Sequence, residues 1–270
     1  MAYQDIEFEI VDRIAIITLR RPEHLNAFSG RMGVELGEVY TECDRNDEVR
    51  TVVLTGAGRA FCAGADISAG AETFAKQDEG SFSAAGVEPA AWDVRKPVIA
   101  AINGHAVGIG LTLAMQCDIR LVAREAKCGF VHARRGVIPD AYSHWSVPRA
   151  IGFARAAELF LTGRLFTGDE AVQLGLASRA LPAADVLPAA VELARDIAVN
   201  VAPLSAALSK RLLWESRWLT REEVGRKETA LHHVVMGRAD ALEGVMAFVE
   251  RRTPRWQLTV SEDWPPEWPE

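Results

Sequence analysis

Two short stretches crowded with glycine and alanine constrain this chain more than any other feature. They are Phe61-Cys62-Ala63-Gly64-Ala65-Asp66-Ile67 and Asn103-Gly104-His105-Ala106-Val107-Gly108-Ile109-Gly110, each placed after an apolar run that reads as a strand. Side chains this small let backbone N–H groups come close to a ligand's carbonyl oxygen. Two such turns in one chain predict a pair of converging donors, an oxyanion hole. The competing reading is a pair of tight turns that only pack a helix on a sheet. A dinucleotide site is disfavoured, because Leu113 stands where a third glycine would follow Gly108 and Gly110.

The remaining chemistry is narrowed by what the chain lacks. Its 270 residues carry a formal charge of −7 and no basic run longer than Arg251-Arg252, which argues against a surface that tracks nucleic-acid phosphates. Cys43, Cys62, Cys117 and Cys128 show neither C-x-x-C spacing nor a companion histidine pattern, so neither a metal site nor a disulfide scaffold is expected. The N-terminal segment has no apolar core, and no apolar stretch approaches the ~20 residues that span a bilayer. A cytoplasmic protein that binds neither membrane nor nucleic acid is expected.

Along the chain, Glu7 to Ile10 and Ile14 to Leu19 predict a hairpin about Asp12-Arg13, and a helix follows with Ser29 as its N-cap. Thr51 to Thr55, Val98 to Ile102 and Ile119 to Val122 read as buried strands. The stretch 68–91 reads as a mobile loop with a short helix near Phe74. From Val147 the pattern turns helical over Arg155 to Leu161, Gly168 to Leu174, Asp185 to Val199, Pro203 to Trp214 and a long last helix from Thr220 to Arg252. The tail, with Trp256, Trp264 and Trp268 among prolines, is expected to be non-helical and to lie on a neighbouring surface.

The first turn resembles the F-x-A-G-A-D-[IL] motif of the crotonase, or enoyl-CoA hydratase/isomerase, superfamily. Lys96-Pro97-Val98-Ile99-Ala100-Ala101-Ile102-Asn103-Gly104 through Cys117-Asp118-Ile119 resembles its second motif. Similarity extends over Arg21 to Phe28, Leu161 to Arg164, Ala171 to Ala177 and Glu243 to Arg252. This resemblance implies an α/β fold, a spiral core of ββα units over residues 1–200 with a C-terminal helical trimerisation region over 201–270. It also implies a homotrimer or a dimer of trimers that takes an acyl-CoA thioester. Coenzyme A enters as part of the substrate, with no permanently bound cofactor.

By that resemblance the two hole donors are the N–H groups of Ala65 and Ile109, with isoleucine where the family usually has glycine; a β-branched residue disfavours positive φ there. Thr112 and His132 stand where enoyl-CoA hydratases carry their two catalytic glutamates. A threonine hydroxyl cannot serve unaided as a general base. Asp140 becomes the first candidate proton carrier, since dienoyl-CoA isomerases and aryl-CoA dehalogenases place a functional carboxylate there; the alternative is an N-cap for the helix through Trp145. His132 can act as a base near neutral pH, or be a satisfied structural group. His144, Tyr142 and Ser143 share that ambiguity, and Arg134-Arg135 is either an acyl anchor or a solvated face. Asp66, Asp118 and His105 are expected to brace the turns.

The resemblance places coenzyme A contacts at Leu25, Ala27, Ala63, Asp66 and Ile67, with Phe248 and Arg251 meeting the adenosine and its 3′-phosphate. The expected activity is enolate-type chemistry on an acyl-CoA, namely hydration, isomerisation or retro-Claisen hydrolysis, with simple hydration the least favoured. The alternative from another class is a catalytically silent acyl-CoA-binding trimer. A nucleic-acid-binding homologue is a third, disfavoured by the charge.

Overall fold

The computed structural model describes residues 3–75 and 83–269. Strands β1 (Ile6–Val11) and β2 (Ile14–Leu19) form the expected hairpin, and the two-residue turn Asp12-Arg13 takes the positive φ values that such a turn requires. Helix α1 (Gly30–Arg45) follows, and the Ser29 hydroxyl accepts the Met32 N–H at 3.0 Å as its cap. Its buried face, Met32, Leu36, Val39, Tyr40 and Cys43, returns at helical spacing.

From there the chain winds in a spiral. Strand β3 (Thr51–Gly56) is followed by the short β4 (Ala60–Cys62), β5 (Val98–Ile102) by β6 (His105–Val107) and α2 (Ile109–Ala114), and β7 (Ile119–Ala123) by β8 (Cys128–Gly129) and a 3-10 turn, Val131–Arg135. The long strands enter one six-stranded sheet, ordered β1-β2-β3-β5-β7-β9 with β9 at Arg179–Leu181 and parallel throughout except for the hairpin. The short ones form a second, parallel sheet, β4-β6-β8. Helices α3 (Ser143–Ile151), α4 (Phe153–Thr162) and α5 (Gly168–Leu174) follow, and α6 (Ala183–Asn200) lies across β3, β5 and β7 with Val186, Ala190, Ala194 and Ala198 fully buried. Alanine on that face lets the helix axis approach the sheet closely.

Helix α7 (Pro203–Glu215) opens a separate hydrophobic cluster of Leu204, Leu208, Leu212 and Leu231, against which Trp264 and Trp268 pack. Two expectations fail here. The long last helix is two, α8 (Arg221–Val235) and α9 (Ala239–Glu250), because Met236 and Arg238 are extended. That bend brings Asp240 under the tail, where its carboxylate accepts the Gln257 N–H at 2.6 Å, and pairs Arg238 with Asp263. The tail is not wholly irregular either, since Thr259 caps one helical turn, α10 (Val260–Asp263). Its tryptophans lie on their own chain: Trp264 stacks on Trp268, Arg95 and Arg211 cover them, and Trp256 donates to the Val199 carbonyl.

The short helix near Phe74 is a 3-10 turn, Gly70–Phe74, while the 76–82 part of the expected mobile loop lies outside the described residues. Among the described residues no helix is long and apolar enough to cross a membrane.

Candidate active site

The small parallel sheet decides where the functional residues meet. Its register pairs Ala60 with His105, Cys62 with Ala106, and Val107 with Gly129, so three segments leave its carboxyl-terminal edge side by side. They are Ala63-Gly64-Ala65, Gly108-Ile109 and Phe130 to His132. The carboxyl ends of parallel strands are where α/β proteins bind ligands.

Both candidate donors are presented by this edge. Phe28 bridges Ala65 in parallel fashion, giving its N–H to the Gly64 carbonyl at 2.8 Å and taking the Asp66 N–H at 2.9 Å. This pattern turns the Ala65 N–H away from Phe28. Ile109 is the first residue of α2, and among the described residues neither its N–H nor that of Ala65 has an acceptor. The carbonyl of each donor's own peptide is engaged: Gly64 accepts from Phe28, and Gly108 accepts from Leu111 and Thr112 at 3.0 and 3.1 Å. A peptide bonded through its carbonyl is a stronger donor through its N–H.

The concern over isoleucine resolves locally. Gly108 takes the positive φ, at 55°, and Ile109 has ordinary helical geometry with its side chain buried. Gly110 permits the packing of α2 on β4, because a Cβ there would lie 2.2 Å from the Cys62 carbonyl oxygen.

Facing this edge are three side chains from three places in the chain. Thr112, one helical turn after Ile109 and fully buried, points its hydroxyl at Asp140 Oδ1, 2.5 Å away. His132 Nε2 lies 3.4 Å from the same oxygen. The imidazole is only 7 % exposed, yet among the described residues neither ring nitrogen has a hydrogen-bond partner. A buried polar group left in that state costs stability unless a ligand uses it. Nε2 also lies 3.8 Å from the point where a Gly108 side chain would begin.

Asp140 is not the N-cap of α3. Tyr142 holds that position, and Ala141 and Tyr142 both adopt left-handed φ, 49° and 56°, so the chain turns sharply just after the carboxylate. Non-glycine residues in that region carry strain, which persists where the surroundings fix it. Here Ala141 donates to the Ala84 carbonyl and accepts from Gln116. Neither this turn nor the contact between Thr112 and Asp140 has a signature in the sequence.

Other candidates fall elsewhere. His144 packs edge-on against Phe160, and Arg134 and Arg135 are exposed, the former bonded to the Thr162 carbonyl. His105 accepts the Lys127 N–H, and Asp118 accepts the Val98 N–H and holds Lys210 and Trp214. Cys62 adjoins the Gly64 carbonyl, but burial pushes its thiol up to about 11, so it is no thiolate nucleophile at neutral pH.

The residues assigned to coenzyme A divide into two groups. Ala63 donates to the Leu25 carbonyl at 3.1 Å, and Arg21 ties the Ala27 carbonyl to Asp66 through bonds of 2.6 and 2.7 Å. That guanidinium, with the Ser68 N–H, holds the Asp66 carboxyl at about 2. Leu25, Ala27, Ala63, Asp66 and the exposed Ile67 thus share one rim. Phe248 and Arg251 lie exposed at the end of α9 and make no hydrogen bond or ion pair to that rim among the described residues. All four cysteines are free and buried, and no group of three metal-ligating side chains occurs among the described residues.

Comparison with known proteins gives a consistent picture. The family model described as enoyl-CoA hydratase/isomerase matches residues 9–259. An enoyl-CoA hydratase of Alternaria alternata is 38% identical over 253 residues, 93% of this chain and 85% of that protein. A probable enoyl-CoA hydratase of Mycobacterium bovis is 37% identical over 268 residues, 95% of this chain and 99% of that protein. Among solved structures, a probable enoyl-CoA hydratase/isomerase from Mycobacterium abscessus is 51% identical, with a TM-score of 0.91 over 93% of this chain and 98% of that one.

Proposed function

This chain belongs to the enoyl-CoA hydratase/isomerase family, and from that premise we propose that it moves a proton at the carbon beside the thioester carbonyl of an acyl-CoA. The N–H groups of Ala65 and Ile109 hold the thioester oxygen. A carboxylate oxygen of Asp140 takes the Cα proton, the C–H electron pair becomes the carbon–carbon double bond of an enolate, and the carbonyl pair moves to the held oxygen. Return of the proton to Cα gives exchange, and in an acyl chain that carries a β,γ double bond its return to Cγ instead moves that bond to the α,β position.

The observation that carries this reading is the contact between Thr112 and Asp140, which tethers a carboxylate one helical turn from a candidate hole donor. One carboxylate beside one hole suffices for a proton shift, whereas adding water across a double bond also requires a group to activate the water. The rim of Leu25, Ala27, Ala63, Asp66 and Ile67 would take the adenine and pantetheine, and Phe248 and Arg251 the adenosine 3′-phosphate, in a cytoplasmic homotrimer or dimer of trimers. A guanidinium suits phosphate by its fork of donors.

A second reading has its own support. The His132 ring nitrogens, which have no hydrogen-bond partner among the described residues, suit it to activate a water for hydration or for retro-Claisen hydrolysis of a β-keto acyl-CoA.

The test is α-proton exchange followed by NMR in D₂O with butanoyl-, crotonyl-, phenylacetyl- and acetoacetyl-CoA. Exchange with wild type and its loss by about 10²–10⁴ in Asp140→Asn is the expected result. Cleavage of acetoacetyl-CoA that depends on His132 would favour the second reading. Binding of these esters with no hydration, no cleavage and no exchange above the uncatalysed rate would overturn both and leave an acyl-CoA-binding protein without catalysis.

A further inference from the structure

We propose that the Thr112 hydroxyl is a positioning group that pins Oδ1 of Asp140 and so assigns Oδ2 as the oxygen that carries the proton. The inference rests on the proton-transfer reading above. Thr112 Oγ1 has a single hydrogen and two acceptors in reach, Asp140 Oδ1 at 2.5 Å and the Ile109 carbonyl at 3.1 Å. The shorter distance is in the range of a hydroxyl bound to an ionised carboxylate, so the hydrogen goes to Asp140. His132 Nε2 approaches the same oxygen, and among the described residues Oδ2 has no partner. Thr112 itself is fully buried on α2, so its hydroxyl is fixed relative to the N–H of Ile109.

Every proton is accounted for without Thr112 giving up its own. The Cα hydrogen passes to Oδ2, the C–H pair enters the enolate, and the reverse step returns the hydrogen to carbon while Thr112 stays bonded to Oδ1. The sequence-based objection that a threonine hydroxyl is no base therefore does not apply, because the hydroxyl acts as a donor. Misplacing a reacting group by about 1 Å costs on the order of a hundredfold, which is the size of effect that holding Asp140 in place can supply.

The experiment compares Thr112→Val, which keeps shape and removes the donor, with Thr112→Ser, which restores it. Butanoyl-CoA α-exchange and butanoyl-CoA binding by calorimetry are measured on the same preparations. Exchange is expected to fall about tenfold or more in Thr112→Val with Kd within about twofold of wild type, and to recover most of its rate in Thr112→Ser. Wild-type exchange in Thr112→Val, or a loss matched by weaker binding, would overturn the positioning role.

Should Thr112→Val not fold, Thr112→Ala is made with and without Asp140→Asn. No additional loss in the Asp140→Asn background supports the assignment, and an additive loss overturns it. The two levels separate cleanly. Exchange that survives Asp140→Asn refutes the proton-transfer reading, while exchange lost in Asp140→Asn but intact in Thr112→Val refutes only the role of Thr112.

Discussion

The two sides of the candidate site are built by different means. On one side the groups are main-chain N–H donors, set by the register of β4 and β6 and by the helical start at Ile109. On the other they are side chains from a helix, a 3-10 turn and an irregular loop, joined by contacts of 2.5 and 3.4 Å and by two consecutive left-handed residues. A backbone site can be damaged only by moving the fold. A side-chain site can lose its chemistry with the fold intact, and substitutions on the two sides should therefore give different signatures.

The sharpest way to break the backbone side is Gly110→Ala. Its Cβ would sit 2.2 Å from the Cys62 carbonyl oxygen and 2.7 Å from the Cys62 Cβ, so α2 must shift off β4 and take the Ile109 N–H with it. Losing one such donor costs about 10²–10³ in rate, and overpacking costs about 1–3 kcal/mol. Calorimetry and α-exchange should show both losses together. A variant that keeps its melting temperature and its exchange would mean that this contact does not fix the donor.

Gly108→Ala separates strain from crowding, with a smaller effect expected. The nearest atoms to a Cβ there are Gly64 Cα at 3.7 Å and His132 Nε2 at 3.8 Å, which is ordinary contact. The cost comes from φ 55° and ψ −129°, on the order of 1–3 kcal/mol for a side chain forced into that region. Thermal unfolding should shift down by about 2–6 °C. α-Exchange that falls as far as in Gly110→Ala would mean that the backbone turn at Gly108, and not only the close contact at Gly110, fixes the Ile109 donor.

Legibility from the sequence divides along the same line. The glycine and alanine turns announce themselves because close backbone approach excludes larger residues, and β3, β5 and β7 are apolar runs of ordinary length. The sheet that aligns those turns gave no signal, since strands of two or three residues such as Cys128–Gly129 are too short to show a period. Asp140 and His132 could be picked out as ionisable residues near a rigid loop. Their link to Thr112, 28 residues away from Asp140, exists only in the folded chain. Ala141 and Tyr142 carry no glycine or asparagine to mark a left-handed turn, and the apolar spacing of α8 and α9 runs on through the extended residues that separate them.

The smallest effect belongs to the clamp at the rim, and its pH dependence identifies it. Arg21 Nη2 lies 2.7 Å from Asp66 Oδ2 and holds that carboxyl at about 2, below its unfolded value of about 3.9. A depressed folded value means that the pair stabilises the fold above the unfolded value, and that this contribution fades as pH falls toward about 2. For a partly exposed pair it amounts to at most about 1 kcal/mol. Wild type should thus exceed Asp66→Asn in urea midpoint at pH 7 and at pH 5, with the gap narrowing as pH drops below about 4. A gap that stays constant from pH 7 to pH 3 would assign the difference to the Ser68 turn or to packing. The carboxylate would then contribute shape rather than charge. Because Arg21 also holds the Ala27 carbonyl, Arg21→Gln should weaken binding of butanoyl-CoA more than it slows exchange. That split would place the clamp on the binding side of the backbone half, away from the side chains proposed to move the proton.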